Sequence, residues 1–300
     1  MDVRSKVCII TGSAQGLGKE FAKVLLDNGA KVCISDLKEE SGKLTVDEFE
    51  KRYGKENVCF VQCDVTNDEQ FEKLFDDTES YFNVNCIDLL ANNAGINTNF
   101  GWKKCMEVNI MAVMKGCEIA LSRMKKASKN GAIVNTASMA GIVNGLGEES
   151  IGYTVSKHGV VALTRTLAAD FKTHGISVKA LCPAWANTEI VSSSRGMSER
   201  AEKLIDQSIG KQGGMMTPEY VAQGFYKLVT ECKNGSVLWS LKDTPFLVIP
   251  DDAEIRVLIW AIMAKLYGKI TGNDLMTVPK QIISALIFFV ILTLFVNWIF

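Results

Sequence analysis

The sequence has few histidines, no excess of either charge and no paired-cysteine motif, and each shortage removes a class of function. Lys and Arg number 33 against 34 Asp and Glu, a net charge of −1. No basic surplus is available to neutralise a phosphate backbone, so nucleic acid is not an expected partner. There are 2 histidines, His158 and His174. With no Cys/His cluster beside them, no dedicated metal site is expected. The cysteines number 9 and include no Cys-x-x-Cys. Cys59 and Cys63 share a strand-like run and would lie too far apart to bridge. Cys8, Cys33 and Cys182 have apolar neighbours, where a free thiol behaves as a small core residue. A reducing compartment follows, without a disulfide framework. No apolar signal segment precedes the first strand-like run, so secretion is not expected.

What is present is a foldable globular chain of 300 residues, 47% hydrophobic and 22% charged. Apolar, β-branched runs at 7–10, 32–35, 58–62, 89–92, 133–136 and 178–182 read as strands. Helical patterns lie between them, at 19–28, 39–53, 68–82, 102–126 and 153–174, with a last helix at 218–231 and strand at 236–240. The strands are apolar nearly throughout, as required when both sheet faces are covered. The pattern predicts an α/β fold: a doubly wound parallel sheet of the Rossmann kind, in a single domain over 1–247. An amphipathic connecting segment, 248–280, and a hydrophobic terminal segment, 281–300, follow.

After the first strand comes Thr11-Gly12-Ser13-Ala14-Gln15-Gly16-Leu17-Gly18. Glycines let the backbone turn sharply and approach a pyrophosphate, and the helix that follows offers it unpaired N–H groups. With a strand before and a helix after, Gly12, Ser13, Gln15, Gly16, Leu17 and Gly18 are read as a dinucleotide-binding turn. Asp36 ends the second strand, followed by Leu37. A carboxylate there accepts hydrogen bonds from an adenosine ribose and repels a 2′-phosphate, which favours NAD over NADP. Lys38, close by, works against that preference.

The spacing Gly12-x-x-x-Gly16-x-Gly18, with Asn92-Asn93-Ala94-Gly95, Ser138 and Tyr153-x-x-x-Lys157, resembles the short-chain dehydrogenase/reductase family. The resemblance covers about residues 1–247. Within the family it runs to the NAD-dependent hydroxyprostaglandin dehydrogenases, through Cys63-Asp64-Val65, His158-Gly159, Asn187-Thr188 and Thr244-Pro245-Phe246. It implies that Cys63, Asp64 and Val65 lie at the adenine and that Asn92, Asn93, Ala94 and Gly95 lie along the cofactor ribose. Thr188, with Asn187, would hold the nicotinamide carboxamide. Asn109 matches a helix asparagine that orders a water beside the lysine. Two departures stand out. Pro183-Ala184 replaces the usual Pro-Gly, and Gly147–Gly152 lacks the glutamine with which the prostaglandin enzymes grip their substrate.

Tyr153 and Lys157 are one helical turn apart, a spacing that also occurs in ordinary surface pairs. A free tyrosine has a pKa of about 10, and lowering it by two or three units takes about 3 to 4 kcal/mol of phenolate stabilisation. A nearby ammonium, with the positive nicotinamide, can supply this. Lys157 is therefore expected to depress the Tyr153 pKa and to hold the nicotinamide ribose. Tyr153 acts as general base, Ser138 hydrogen-bonds the substrate oxygen, and Asn109 with its water links Lys157 to solvent. His158 is read as packing or surface.

Ile282 to Phe300 carry no charge and are rich in Ile, Leu, Phe and Val. A helix of about 20 residues rises roughly 30 Å, the thickness of a bilayer's hydrocarbon core. A C-terminal transmembrane helix is expected, a tail anchor leaving the catalytic domain in the cytosol at the endoplasmic reticulum or another organelle surface. Lys265, Lys269 and Lys280 flank its cytosolic side. The competing reading is an apolar helix closing a substrate pocket or a dimer seam.

The expected activity is NAD-dependent oxidation of a secondary alcohol on a hydrophobic, lipid-like substrate: a hydroxy fatty acid, prostanoid-like molecule, retinoid or steroid. The alternatives are an NADP-dependent carbonyl reductase and a non-catalytic NAD-binding membrane scaffold. A homo-oligomer, a dimer or tetramer built on the long helices, is implied by the resemblance.

Overall fold

Strands that are apolar on both faces can be buried only if helices cover both sides of the sheet. The computed structural model describes residues 1–143, 147–193 and 198–250, and in it that arrangement is found. The expected connecting segment and membrane helix lie outside the described residues. Among the described residues, no helix is long and apolar enough to cross a membrane.

The chain runs β1 (Val7–Thr11), α1 (Gly16–Asp27), β2 (Lys31–Asp36), α2 (Glu39–Tyr53), β3 (Val58–Gln62), α3 (Asp68–Phe82) and β4 (Leu89–Asn92). There follow α4 (Gly101–Met106), α5 (Ala112–Lys126), β5 (Ala132–Thr136), α6 (Ile151–Phe171) and β6 (Ser177–Pro183). The remaining elements are α7 (Glu189–Ser192), α8 (Glu199–Lys211), α9 (Pro218–Thr230), β7 (Val237–Ser240) and β8 (Leu247–Ile249). The strand order is β3-β2-β1-β4-β5-β6-β7-β8. Because β4 returns beside β1, the two halves of the chain wind outward in opposite directions. The carboxyl ends of β1 and β4 then bound a crevice, where such sheets take ligands.

Alternation along each strand divides the core in two. Val7, Ile9, Leu90 and Ile133 face Phe71, Leu74 and Phe75 of α3, Met124 of α5 and Val160 of α6. Cys8, Ile10, Val32, Ile34 and Val134 face Phe21 and Leu25 of α1, Phe49 of α2 and Phe225 and Leu228 of α9. The Phe21 and Phe225 rings stack at 4.3 Å and lock α1, the helix that follows the glycine turn, against α9. Local signals set several helix ends. Asn67 caps α3 by accepting from the Gln70 N–H, and Thr217 caps α9 with Pro218 in its first turn.

Four expectations need correction. The sheet is parallel only from β3 to β7, because β8 pairs antiparallel with β7 at the edge. Its three residues were too few to show a period. The helix expected at 102–126 is broken by a π-helical turn, Glu107–Met111, between α4 and α5. The apolar spacing hides this, since one extra residue per turn leaves composition unchanged. Helix α1 begins at Gly16, a turn earlier than expected, because the glycines are themselves its first residues. Helices α7 and α8 were not expected at all.

Replacing Phe21 by alanine removes the stack and leaves a cavity beneath the glycine turn. It should lower unfolding stability by about 3–5 kcal/mol, read from urea denaturation; a loss below about 1 kcal/mol would contradict the packing described.

Candidate active site

The glycine turn is shaped by close approach. Gly12 has φ +62°, and a β-carbon there would stand 2.7 Å from Ala94 Cα. One at Gly18 would stand 2.2 Å from the Gly12 carbonyl oxygen and 2.6 Å from Asn93 Nδ2. Only glycine fits either place. The buried Ser13 hydroxyl donates to the Ile10 carbonyl at 2.6 Å and accepts from the Ser35 N–H at 3.0 Å, tying the turn to β2. Gly16 has φ +58° and faces the Thr188 side chain, while Leu17 is half-buried beside it.

Asn93 was expected along the cofactor ribose. Its Nδ2 donates to the Thr11 and Gly12 carbonyls, both at 3.0 Å, so the side chain braces the turn. Asn92 is buried, and its amide donates to Asn135 Oδ1 at 2.9 Å. Asn135 in turn donates to Thr164 Oγ1 at 3.0 Å. That chain of polar groups joins β4, β5 and α6 inside the core and does not reach the crevice.

At the far end of the crevice, Asp36 accepts from the Ala14 N–H and from the Lys38 N–H, each at 3.0 Å. Leu37 beside it is 62% exposed, an apolar edge open to a planar ring. Across from it, Cys63 donates its N–H to the Asp36 carbonyl at 3.1 Å. Burial pushes the Asp64 carboxyl up, but two hydrogen bonds from Thr66 outweigh it and hold the group below its ordinary value. The Asp64 N–H donates to Gln70 at 2.8 Å, and Val65 is buried below it.

The other end gathers Ser138, Tyr153, Lys157, Asn109 and Gly95. Lys157 is 4% exposed, and its Nζ donates to the Thr136 carbonyl at 2.9 Å. The same Nζ lies 5.6 Å from the centre of the Tyr153 ring. A β-carbon added at Gly95 would stand 3.3 Å from Asn109 Oδ1 and 3.6 Å from Lys157 Nζ, which shows how closely the three converge. Asn109 sits in the π-helical turn, fully buried. Its Oδ1 accepts from the Ile96 N–H at 2.8 Å and its Nδ2 donates to the Ile96 carbonyl at 2.9 Å. Both ends of its amide are thus held by the Ile96 main chain, and the wide turn serves to aim it. Ser138 caps the short turn after β5 and accepts from the Ala140 N–H at 3.2 Å. Asn187, exposed, donates its N–H to the Met216 carbonyl at 2.9 Å, and Thr188 opens α7.

Burial dominates the electrostatics of Lys157 and Tyr153. Burial lowers Lys157 to about 8. Burial also raises the Tyr153 phenol, and the hydrogen bond to Ser138 pulls only part of the way back. The protein's own groups do not acidify the phenol, because the cost of burying a phenolate exceeds what its neighbours return. Cys182 and Cys105 lie close enough to act on both groups, and burial holds both thiols up, Cys182 at about 12. His158 is exposed and bonds within its own helix, to the Thr154 carbonyl.

The sequence from residue 6 to residue 199 matches the profile of the short chain dehydrogenases. The chain belongs to the short-chain dehydrogenase family. It is 32% identical over 247 residues to human 15-hydroxyprostaglandin dehydrogenase [NAD(+)], covering 79% of this chain and 91% of that one. It is 30% identical over 248 residues to zerumbone synthase of Zingiber zerumbet, covering 77% and 90%. The crystal structure of levodione reductase superposes with a TM-score of 0.71 at 27% identity, over 79% of this chain and 96% of that one.

In this short-chain dehydrogenase, helix α8 is fastened beside the Ser138–Tyr153 pair by side chains that sequence reasoning missed. Ser198, its cap, donates its N–H to Glu149 at 3.2 Å, and its hydroxyl also donates to that carboxylate. Trp185 donates to Ser208 at 2.8 Å, and Gln212 reaches Met139, the residue after Ser138. Ser198 ahead of Glu199 was the available helix-start signal. A separate groove of about 1050 Å³ lies between α5 and α6, lined by Met111, Met114, Leu163 and Phe171. It is not at the crevice, and none of the expected site residues except Val65 lines it.

The Lys157 shift carries a pH signature. A lysine whose folded pKa lies below its unfolded value costs the folded state while both are charged. That cost fades as pH rises from about 8 toward the ordinary 10.5. Across that window the wild type should gain stability relative to Lys157→Met, by at most about 3 kcal/mol. Urea denaturation of both proteins between those limits reads the difference, and a flat or falling difference would refute the buried ammonium.

Proposed function

We propose that the protein oxidises a secondary alcohol on a hydrophobic, lipid-like substrate to the ketone, with NAD as hydride acceptor. The observation that carries this is the convergence of Ser138, Tyr153, Lys157 and Gly95 at one end of a crevice whose other end is the glycine turn and Asp36. Gly12 and Gly18, where a β-carbon would run into Ala94 and into the Gly12 carbonyl, keep the turn tight enough for a dinucleotide's pyrophosphate to approach its main chain, and Asp36 stands at the ribose end. The naming of NAD(+) in relatives that the chain matches over 91% of their length supports the same cofactor here.

When bound, NAD supplies the acceptor for the hydride and a positively charged ring. The glycine turn, Asp36, Asp64 and Thr188 bind and orient it. Ser138 positions the carbinol oxygen by hydrogen bonding and stabilises charge developing there. Tyr153 takes the hydroxyl proton as general base. Burial raises the phenol, and the Lys157 ammonium together with the cofactor's positive ring would favour the phenolate against it. The Lys157 ammonium is fixed by Thr136 and passes the proton outward past Asn109. The Ile96 main chain holds both ends of the Asn109 amide, which fixes where Asn109 can order a water beside Lys157.

The substrate is read as lipid-like because residues 281–300 have the length and composition of a membrane anchor. In that reading the catalytic domain stands in the cytosol on an organelle surface, and 248–280 connects the two. A dimer fits the groove between α5 and α6, where Met111 is 60% and Met114 51% exposed.

Tyr153→Phe should bind NADH with near wild-type affinity and lose turnover by about a thousandfold, the scale of a positioned general base. Fluorescence titration and NADH production with a panel of lipid alcohols test both halves; near-normal turnover removes Tyr153 from the mechanism. Deleting residues 281–300 should move the protein from the membrane pellet to the supernatant with activity retained. A truncated protein that still pellets would show that this segment is not the sole anchor.

A further inference from the structure

The cofactor groove is spanned by one carboxylate. Glu189, the first residue of α7, lies on the substrate side of the crevice. Its Oε2 accepts from Lys38 Nζ at 2.9 Å and also from Gln15 Nε2. Gln15 belongs to the glycine turn, and Lys38 follows the acidic end of β2. One oxygen thus ties the β6–α7 connection to both ends of the adenosine half of the groove.

Lys38 is the residue that made the cofactor preference ambiguous in the sequence. Its main chain is fixed, since its N–H donates to Asp36 Oδ1 at 3.0 Å. Its side chain therefore starts beside the carboxylate that faces the ribose. NAD and NADP differ by a phosphate at the 2′ position of that ribose. Asp36 repels such a phosphate, while a free ammonium two residues on would attract it and offset the repulsion. The ammonium is turned instead onto Glu189.

We propose that Glu189 sets cofactor choice from across the groove: by pairing with Lys38 it withholds the cation that a 2′-phosphate would use. This rests on the dehydrogenase reading above. Glu189 is a positioning residue, acting through Lys38 and not on the reacting atoms. Both side chains are half-exposed, 50% for Lys38 and 58% for Glu189, so the effect is a modest one that salt weakens.

The full-length wild type, Glu189→Gln, Glu189→Ala, Lys38→Ala and the double variant Lys38→Ala/Glu189→Gln are titrated with NADH and with NADPH, following nicotinamide fluorescence. Glutamine still accepts from Gln15 but cannot neutralise Lys38. Glu189→Gln should therefore improve NADPH affinity relative to NADH by about two- to fivefold, the scale of one exposed charge pair. Glu189→Ala should match it, the gain should shrink in high salt, and it should vanish when Lys38 is alanine. The proposal is overturned if Glu189→Gln leaves the ratio unchanged, if only Glu189→Ala shifts it, or if the gain survives loss of Lys38. A wild type that binds neither nucleotide would sink the dehydrogenase reading, and this inference with it. A wild type that binds NADH while the variants behave alike sinks the inference alone.

Discussion

A buried ammonium is the constraint around which the site is organised. Lys157 is 4% exposed and has one protein carbonyl, that of Thr136, as acceptor at 2.9 Å. Taking a cation out of water is costly, and here the cost appears as a pKa lowered to about 8. Nothing in a stability argument would favour a lysine at this position. It is tolerable because β5, α6 and the Asn109 turn close around it, and each has another reason to be there. The same desolvation that burdens Lys157 raises Tyr153. Two groups that each resist burial in their charged forms are held together, and a bound positive ring would favour the phenolate while adding to the strain on the ammonium.

The framework beneath them is polar in one narrow line. Asn92, Asn135 and Thr164 hydrogen-bond in sequence from β4 through β5 to α6, and the Thr164 hydroxyl donates onward to the Val160 carbonyl. Hydrogen bonds have direction where apolar packing does not. This line therefore fixes the rotation of α6 about its axis, and with it the side from which Tyr153 and Lys157 approach the sheet. Asn93 does the equivalent for the glycine turn, holding the Thr11 and Gly12 carbonyls. Neighbouring asparagines in one strand end serve opposite sides of the sheet because successive side chains alternate.

Much of this was legible in the sequence. The apolar strands announced a sheet covered on both faces, and the glycine spacing and the Tyr153/Lys157 pair marked the two ends of the crevice. What could not be read were features that leave no periodic trace. The π-helical turn at Asn109 adds a residue to a turn without altering composition. The short β8 is below the length at which alternation shows. Helix α8 buries Ala201 and Ile205, a pair too few to stand out as a helical period. Asn92 and Asn93 fit the family pattern, yet their bonds run inward, a matter of side-chain direction that spacing does not encode. The desolvation that raises Tyr153 was not legible, because it depends on packing, whereas attraction by a neighbour can be inferred from spacing.

The way α8 is attached has a consequence for how such a protein can change over evolutionary time. Its fastenings, Ser198 to Glu149, Trp185 to Ser208 and Gln212 to Met139, join surface side chains on three separate loops and leave the asparagine line untouched. Roof and floor thus share no hydrogen bond among these pairs. A lineage could swap the roof repeatedly, trying differently shaped guests, while inheriting an unaltered floor, so diversification and conservation need not compete for the same residues.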